Sequence, residues 1–237
     1  MKLIQLRHKR GYTVTSRRDV LGLLVAGSAI GLTGCGTYGG ASYRFRMTVE
    51  ADTPQGQLTG SSVYEVSAKK MLRLTSEERA GSGGTRGQAL ILDLPNGPVF
   101  VTLKMPVAGE SLGTRATIAF LPEAESAGID SYVAAVGKLG GWFAAYKAEL
   151  PRKDWPLMVR FRDINDPGSV ERVEPGTVGV KRVLMETTSD DLSVGIQETL
   201  PWLTRINGSL TRRLSAPDPT KPPFSAQIGG GDFSTEI

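Results

Sequence analysis

Histidine and cysteine are nearly absent from this chain. Its 237 residues include one of each, His8 and Cys35. A single cysteine excludes an intramolecular disulfide. Ser-His-Asp and Cys-His catalytic sites, and the common zinc, copper and haem sites, need histidine or thiolate ligands. The chemistry open to the folded domain therefore depends on what becomes of His8 and Cys35.

The first 34 residues are typical of an export signal. Six Lys and Arg and one acid, Asp19, precede the uncharged stretch 20–32, which includes three glycines. This stretch fits the roughly 7–15 residues of a signal-peptide core better than the about 20 of a membrane-spanning helix. Arg17 and Arg18, followed by Asp-Val-Leu, resemble the twin-arginine consensus, which a dedicated translocase recognises as an address.

Leu32-Thr33-Gly34-Cys35 matches the lipoprotein pattern of an aliphatic residue, two small residues and cysteine. The resemblance implies a diacylglycerol on Cys35, cleavage before it, and acylation of the new amino terminus with chains such as palmitate. Three acyl chains exceed the two signals that stable anchoring takes. We therefore expect a domain anchored to a bacterial membrane on its periplasmic face. Gly36 replaces the aspartate that favours inner-membrane retention in enteric bacteria, which points to the outer membrane.

Two other interpretations of this region stay open. Arg17 and Arg18 could be an ordinary basic patch of a general secretory signal. Residues 20–43, which carry no charge before Arg44, could instead be an uncleaved anchor. The first alternative changes the export route, and the second changes the anchor.

Removal of residues 1–34 changes the charge balance of the protein. These residues hold six of the 28 Lys and Arg and one of the 24 Asp and Glu, so 22 basic and 23 acidic residues remain. The excess positive charge thus belongs to the signal and does not indicate nucleic-acid binding. His8 is removed with the signal, and Cys35 is acylated. Carboxylates, lysine, tyrosine, serine and oxygen-bound calcium or magnesium are what remains, and we predict no cofactor.

Strand periodicity organises most of the mature region. Residues 43–51 alternate apolar with polar side chains, a Pro-Gly turn follows at 53–56, and residues 58–66 return, which predicts a hairpin. Residues 89–94 and 99–105 are almost continuously apolar, which predicts strands covered on both faces. Further strands are expected at residues 157–161 and 178–187, and a short helix beginning at residues 200–203.

Residues 129–150 change to a helical period. Apolar side chains recur at intervals of three and four and include Phe143, which predicts one buried helix face with a break near Gly140. The expected fold class is α+β and strand-dominated, an antiparallel or mixed sheet with one or two helices packed on one side. We expect a tether at residues 35–42, one globular domain at 43–216, and a Pro/Gly-rich extended or disordered tail at 217–237.

Arg-Phe-Arg occurs twice, with Arg44 and Arg46 in one predicted strand and Arg160 and Arg162 in another. Paired strands would collect four arginines into a patch for anionic lipid headgroups or phosphorylated sugars. The alternative is a solvated sheet face neutralised by acids such as Glu65 on neighbouring strands.

Other stretches carry weaker indications of a site. Residues 81–87 are glycine-rich but lack the ending of a phosphate loop, so we expect a flexible hairpin loop. Residues 163–168 offer oxygen ligands but lack the complete pattern of a calcium loop, and we predict no metal site. Two acid pairs could serve a glycosidase, whereas the tryptophans are expected in the core or at its rim. The acid pairs are Glu123 with Glu125 and Asp190 with Asp191, and the tryptophans are Trp142, Trp155 and Trp202.

Five stretches resemble a set of uncharacterised alphaproteobacterial envelope proteins with a Tat-type lipoprotein signal. They are residues 43–50, 53–56, 60–63, 161–170 and 200–203, and the resemblance covers most of the mature domain. It implies a bacterial envelope origin and one domain, and it carries over no functional residue.

The sequence thus predicts a membrane-anchored periplasmic lipoprotein that works as a non-catalytic binding or accessory module of the cell envelope. Membrane lipid, through acylated Cys35, is the expected partner, and an envelope protein is the candidate second one. The alternative is a hydrolase or lyase that uses carboxylates or a Ser-Lys pair on an envelope substrate. A third interpretation is a structural accessory that docks through residues 217–237.

Overall fold

Strands dominate the structure, a computed structural model that describes residues 39–71, 81–125, 128–211 and 222–236. The described residues form one compact α+β unit. Its strands are β1 (Gly40–Thr53), β2 (Gly56–Lys70), β3 (Gly81–Arg86), β4 (Leu90–Leu94), β5 (Gly97–Val101), β6 (Lys147–Glu149), β7 (Met158–Phe161), β8 (Val170–Val173) and β9 (Val180–Thr188). Its α-helices are α1 (Leu112–Phe120), α2 (Ile129–Leu139) and α3 (Ile196–Thr199).

The strands form two sheets in which every pairing is antiparallel. The first sheet has the order β3-β2-β1-β9-β6, and the second has the order β4-β5-β7-β8. The predicted strand-dominated α+β class is confirmed. Within the residues described, no helix is long and apolar enough to cross a membrane.

The hairpin β1–β2 forms as its alternating pattern predicts. Tyr43, Phe45 and Met47 point inward and are buried, whereas Arg44 and Arg46 lie on the outer face. Side chains alternate between the faces of a strand, so a strand with one covered face shows this pattern.

The strands β4 and β5 are covered on both faces, which confirms the second prediction. Leu90 and Val101 belong to the first core, which β1, β2, β9, α1 and α2 complete. Phe100, on the opposite face, belongs to a second core. A strand buried on both faces needs no polar side, and this explains the continuous apolar run.

The helix α2 ends at Leu139, and the predicted break at Gly140 is confirmed. A Cβ at Gly140 would collide with the carbonyl oxygen of Ser42 in β1, so this close contact requires glycine. The predicted continuation of the helix to Leu150 is wrong, because Lys147–Glu149 instead form β6 at the sheet edge.

The prediction of an extended or disordered tail is wrong for residues 222–236. Ile228 and Phe233 are 1% and 0% exposed and belong to the second core. The backbone is held as well, because Ala89 N donates to the Phe233 carbonyl at 2.7 Å and Leu103 N donates to that of Asp232 at 2.8 Å. Together with residues 196–203 and Leu210, this segment covers the face of the second sheet on which Phe100 lies. The described domain therefore begins with β1 at Gly40, within the predicted tether, and its second core extends to residues beyond the predicted boundary at 216.

Candidate functional site

The residues of the predicted signal and anchor lie outside the described part of the chain. They are Arg17, Arg18, Leu32, Thr33, Gly34 and Cys35. The described chain begins at Gly39, and β1 begins at Gly40, five residues after Cys35. The structure therefore describes the surfaces of the domain that lie beside the start of β1, and it does not describe the predicted signal or anchor.

The four arginines of the predicted anion patch are divided between the two sheets. Arg44 and Arg46 lie on β1 in the first sheet. Arg160 lies on β7 in the second sheet, with Arg162 directly after that strand. The two strands do not pair, so the pairing that would have assembled the patch is absent from the described sheets.

Carboxylates neutralise the pair on β1. Arg44 contacts Glu65 at 3.4 Å and Asp191 at 3.1 Å. Arg46 contacts Glu186 at 3.7 Å and also Asp190. Each arginine therefore meets two acids, and this surface lacks the excess positive charge that binding an anion would use.

The arginines of the second sheet share one acid. Glu171 on β8 lies 3.4 Å from Arg160 and 3.0 Å from Arg162. All four arginines thus have carboxylate partners, as the alternative of a solvated and neutralised sheet face predicts.

The rest of the outer face of the first sheet continues this balance. Arg86 donates to Glu236, and this bond raises its pKa; Arg182 donates to Glu149, with the same effect. A shallow groove of about 450 Å³ lies beside Arg182 and Glu149, with Thr48 in its lining. The face is a network of solvated ion pairs, each of which contributes little to stability.

Every acid of the two candidate pairs contacts a basic side chain. Glu123 contacts Lys138 at 3.6 Å, whereas Glu125 contacts Arg115, also at 3.6 Å. Asp190 and Asp191 contact the two arginines of β1. A glycosidase needs two carboxyl groups about 5–10 Å apart on either side of one bond, whereas each of these four carboxylates is engaged by a basic side chain.

The glycine-rich and aspartate-rich stretches have structural roles. Residues 81–86 form the edge strand β3, so the expectation of a flexible loop there is wrong. Asp163 accepts a hydrogen bond from Asn165 N at 2.9 Å, and Asp166 accepts one from Gly168 N at 2.8 Å, so both stabilise turns. Within the described ranges, no group of three or more His, Cys, Asp or Glu is placed to hold a metal.

The three tryptophans divide sharply by exposure. Trp155 and Trp202 are 4% and 8% exposed, and their indole N–H groups donate to the carbonyls of Leu150 and Ile164. Trp142 is 94% exposed, and its neighbour Phe143 is 92% exposed. The prediction that tryptophans belong to the core or rim is right for two and wrong for Trp142.

Trp142 and Phe143 occupy the tip of a β-turn, Gly141–Ala144, which we call the aromatic turn. Ala144 N donates to the Gly141 carbonyl at 2.9 Å and closes the turn. On the far side, Thr187 Oγ1 in β9 donates to the Ala144 carbonyl at 3.1 Å. The turn is held at both ends, by α2 and by β9, and presents two aromatic rings to solvent.

A polar groove of about 930 Å³ lies between the aromatic turn and the start of β1. Its lining includes Ser42, Arg44, Glu65, Thr187 and Trp142. Among the described cavities it is the one that an exposed aromatic side chain borders. Apolar surface beside convergent polar groups is typical of a contact site.

The sequence pattern did not identify the aromatic turn. Phe143 continues the helical period of α2, and this period predicts a position on the buried face. The glycines at positions 140 and 141 were the available signal, because a helix that ends there releases the following residues from that face.

Across the described ranges, the structure is an α+β domain with a charge-balanced sheet face and a turn that exposes two adjacent aromatic side chains. Comparisons with protein-family models, curated proteins and solved structures found no match.

Proposed function

We propose that this chain is a membrane-anchored lipoprotein on the periplasmic face of a bacterial membrane. Its domain then serves as a non-catalytic binding or accessory module that meets its partner through the aromatic turn. The observation that carries the binding role is the exposure of Trp142 and Phe143, 94% and 92%.

Two adjacent aromatic rings at this exposure are costly to keep in water. A Phe side chain gains about 1.5–3 kcal/mol when it moves from water into an apolar environment. Single exposed apolar residues are ordinary on protein surfaces, whereas Trp and Phe together at the tip of a hydrogen-bonded turn are typical of a contact surface. Because the turn is already ordered, binding through it costs little conformational entropy.

The described structure is compatible with the predicted anchor. The strand β1 begins at Gly40, so residues 35–39 are left as a short link between Cys35 and the domain. A domain that begins within five residues of an acylated cysteine is held beside the membrane to which that cysteine is anchored.

Replacement of the lipidation residue tests the anchor. In a Gram-negative host, the wild-type chain should pellet with membranes and have the mass of a chain that begins at acylated Cys35, whereas Cys35→Ser should lack the mass of the acyl chains. A wild-type chain that pellets at the uncleaved and unacylated mass would instead indicate a membrane anchor within residues 20–43. Replacing Arg17 and Arg18 together with lysine should block export, and normal export would indicate the general secretory route.

The non-catalytic role has its own test. Envelope glycans and model esters should be recovered unchanged after incubation with the purified protein. Turnover that disappears when one carboxylate is replaced would overturn this part of the proposal and favour a hydrolase or lyase.

A further inference from the structure

We infer that the partner of the aromatic turn is the bilayer itself, and that Trp142 and Phe143 insert into the interfacial layer of the membrane that holds the anchor. This inference rests on the proposed anchor at Cys35. It commits the contact surface to lipid, in place of an envelope protein or a glycan.

The position of the turn is the first argument. Gly140 lies directly against the Ser42 carbonyl, so the turn is beside the first residues of β1. Gly40 is five residues after Cys35 in the sequence, and a fully extended chain of five residues spans at most about 18 Å. The interfacial layer on each side of a bilayer is about 5–8 Å thick. The link therefore keeps the aromatic turn within reach of the headgroups.

The shape of the surface is the second argument. Small-molecule and glycan sites are concave, and protein hot spots lie at the centre of a patch whose rim excludes water. Trp142 and Phe143 are 94% and 92% exposed at the tip of a turn whose other two residues are Gly141 and Ala144. A pair of rings that is exposed on nearly all sides suits insertion into a soft medium better than docking onto a rigid surface.

The chemistry of the side chains is the third argument. Tryptophan is enriched where membranes meet water, because its ring is apolar and its N–H still finds a polar partner. The basic groups nearby are already paired, Lys138 with Glu123 at 3.6 Å and Arg44 with Glu65 at 3.4 Å. The contact is therefore amphipathic rather than electrostatic, and it should depend only weakly on salt and on lipid charge.

Quenching of tryptophan emission by brominated phospholipid tests the insertion. The acylated protein is reconstituted into phosphatidylcholine vesicles with and without dibrominated chains. Emission should be quenched, because Trp142 is exposed, whereas Trp155 and Trp202 are buried in the domain. Trp142→Phe should stay anchored and lose the quenching. Anchored wild-type protein with unquenched emission would overturn the inference and leave the anchor intact.

The unacylated domain, residues 39–237, keeps the test independent of the anchor. It contains both cores described above and is added to the same vesicles. Replacing Trp142 and Phe143 together with serine should weaken its partitioning about 10- to 100-fold. Val194→Ser, at another side chain that is 77% exposed, is the matched control and should change nothing. If acylation fails, quenching of the unacylated wild-type domain by brominated lipid still supports insertion. Equal partitioning of the wild-type domain and the double serine variant would overturn the inference.

Discussion

Replacing Phe233 with alanine should destabilise the domain by about 3–5 kcal/mol, the usual range for a buried phenylalanine. Its ring is fully buried and lies 6.1 Å from Phe100, 5.7 Å from Phe161 and 6.2 Å from Trp202, centroid to centroid. Transfer of about 150–250 Å² of aromatic surface gives about 4–6 kcal/mol as an upper bound. Phe233 lies in a segment with the composition of a disordered tail. A large loss of stability would show that this segment is part of the core, whereas a disordered tail would tolerate the change.

Urea unfolding followed by tryptophan fluorescence measures this change. The midpoint should fall by about 1–2 M with an unchanged slope, and thermal unfolding should begin about 6–20 °C lower. Phe143→Ala removes the same atoms from a 92% exposed position and should stay within about 0.5 kcal/mol of the wild type. If the two variants were equally stable, residues 222–236 would be peripheral and the second core would be wrongly described.

Two further pairs of substitutions test the packing. Tyr43→Phe should cost about 1 kcal/mol in urea unfolding, because it loses the 2.9 Å hydrogen bond to Thr117. Tyr64→Phe should cost less than Tyr43→Phe, because the buried Tyr64 hydroxyl makes no hydrogen bond of normal geometry among the described residues, although Ser62 and the Leu90 backbone lie close to it; a loss comparable to that of Tyr43→Phe would reveal a partner. Gly140→Ala should cost about 1–3 kcal/mol through its collision with β1. Gly137→Ala, where the new Cβ meets only an ordinary contact at 3.5 Å, should stabilise α2 by up to about 1 kcal/mol, and the reverse order of melting temperatures would refute the described contact.

The sequence predicted the strands where one physical rule decides the pattern. In β1, alternate residues are buried because only one face of the first sheet is covered. In β4 and β5, both faces are covered, and the pattern is continuous. The period of a strand reports how many of its faces meet a core, and this information lies within a few neighbouring residues.

Composition failed where tertiary contacts override local preference. Proline and glycine predicted a tail beyond residue 216, yet Ile228 and Phe233 are buried because the second sheet needs a cover on the face of Phe100. Residues 81–86 are rich in glycine and still form an edge strand, because β2 offers an unpaired edge with fourteen residues of β1 on its other side. The need of the second sheet for a cover and the unpaired edge of β2 are properties of other segments, so the composition of these two segments does not reveal them.

The helix α1 shows a different kind of failure. Ser111 caps its first turn by accepting a hydrogen bond from Thr114 N at 3.1 Å, and Leu112, Ala116 and Phe120 are buried at helical spacing. The sequence contained both signals, a cap and a period, and they predict this nine-residue helix once they are considered together. The helix is easily missed because its segment is short and lies between two stronger patterns.

The arginine repeats show why charge cannot be assigned to a surface from one strand alone. Arg44 meets Glu65, 21 residues away, and Asp191, 147 residues away. Arg46 meets Glu186 across the register of β1 and β9, which brings together residues that are distant in the chain. A cationic patch needs an excess of positive charge after such acidic partners are counted. The order of strands in the sheet decides which acids lie beside each arginine. The aromatic turn has no counterpart to these acids: burial of Trp142 and Phe143 requires a partner beyond the described domain, whereas the arginines are satisfied within it.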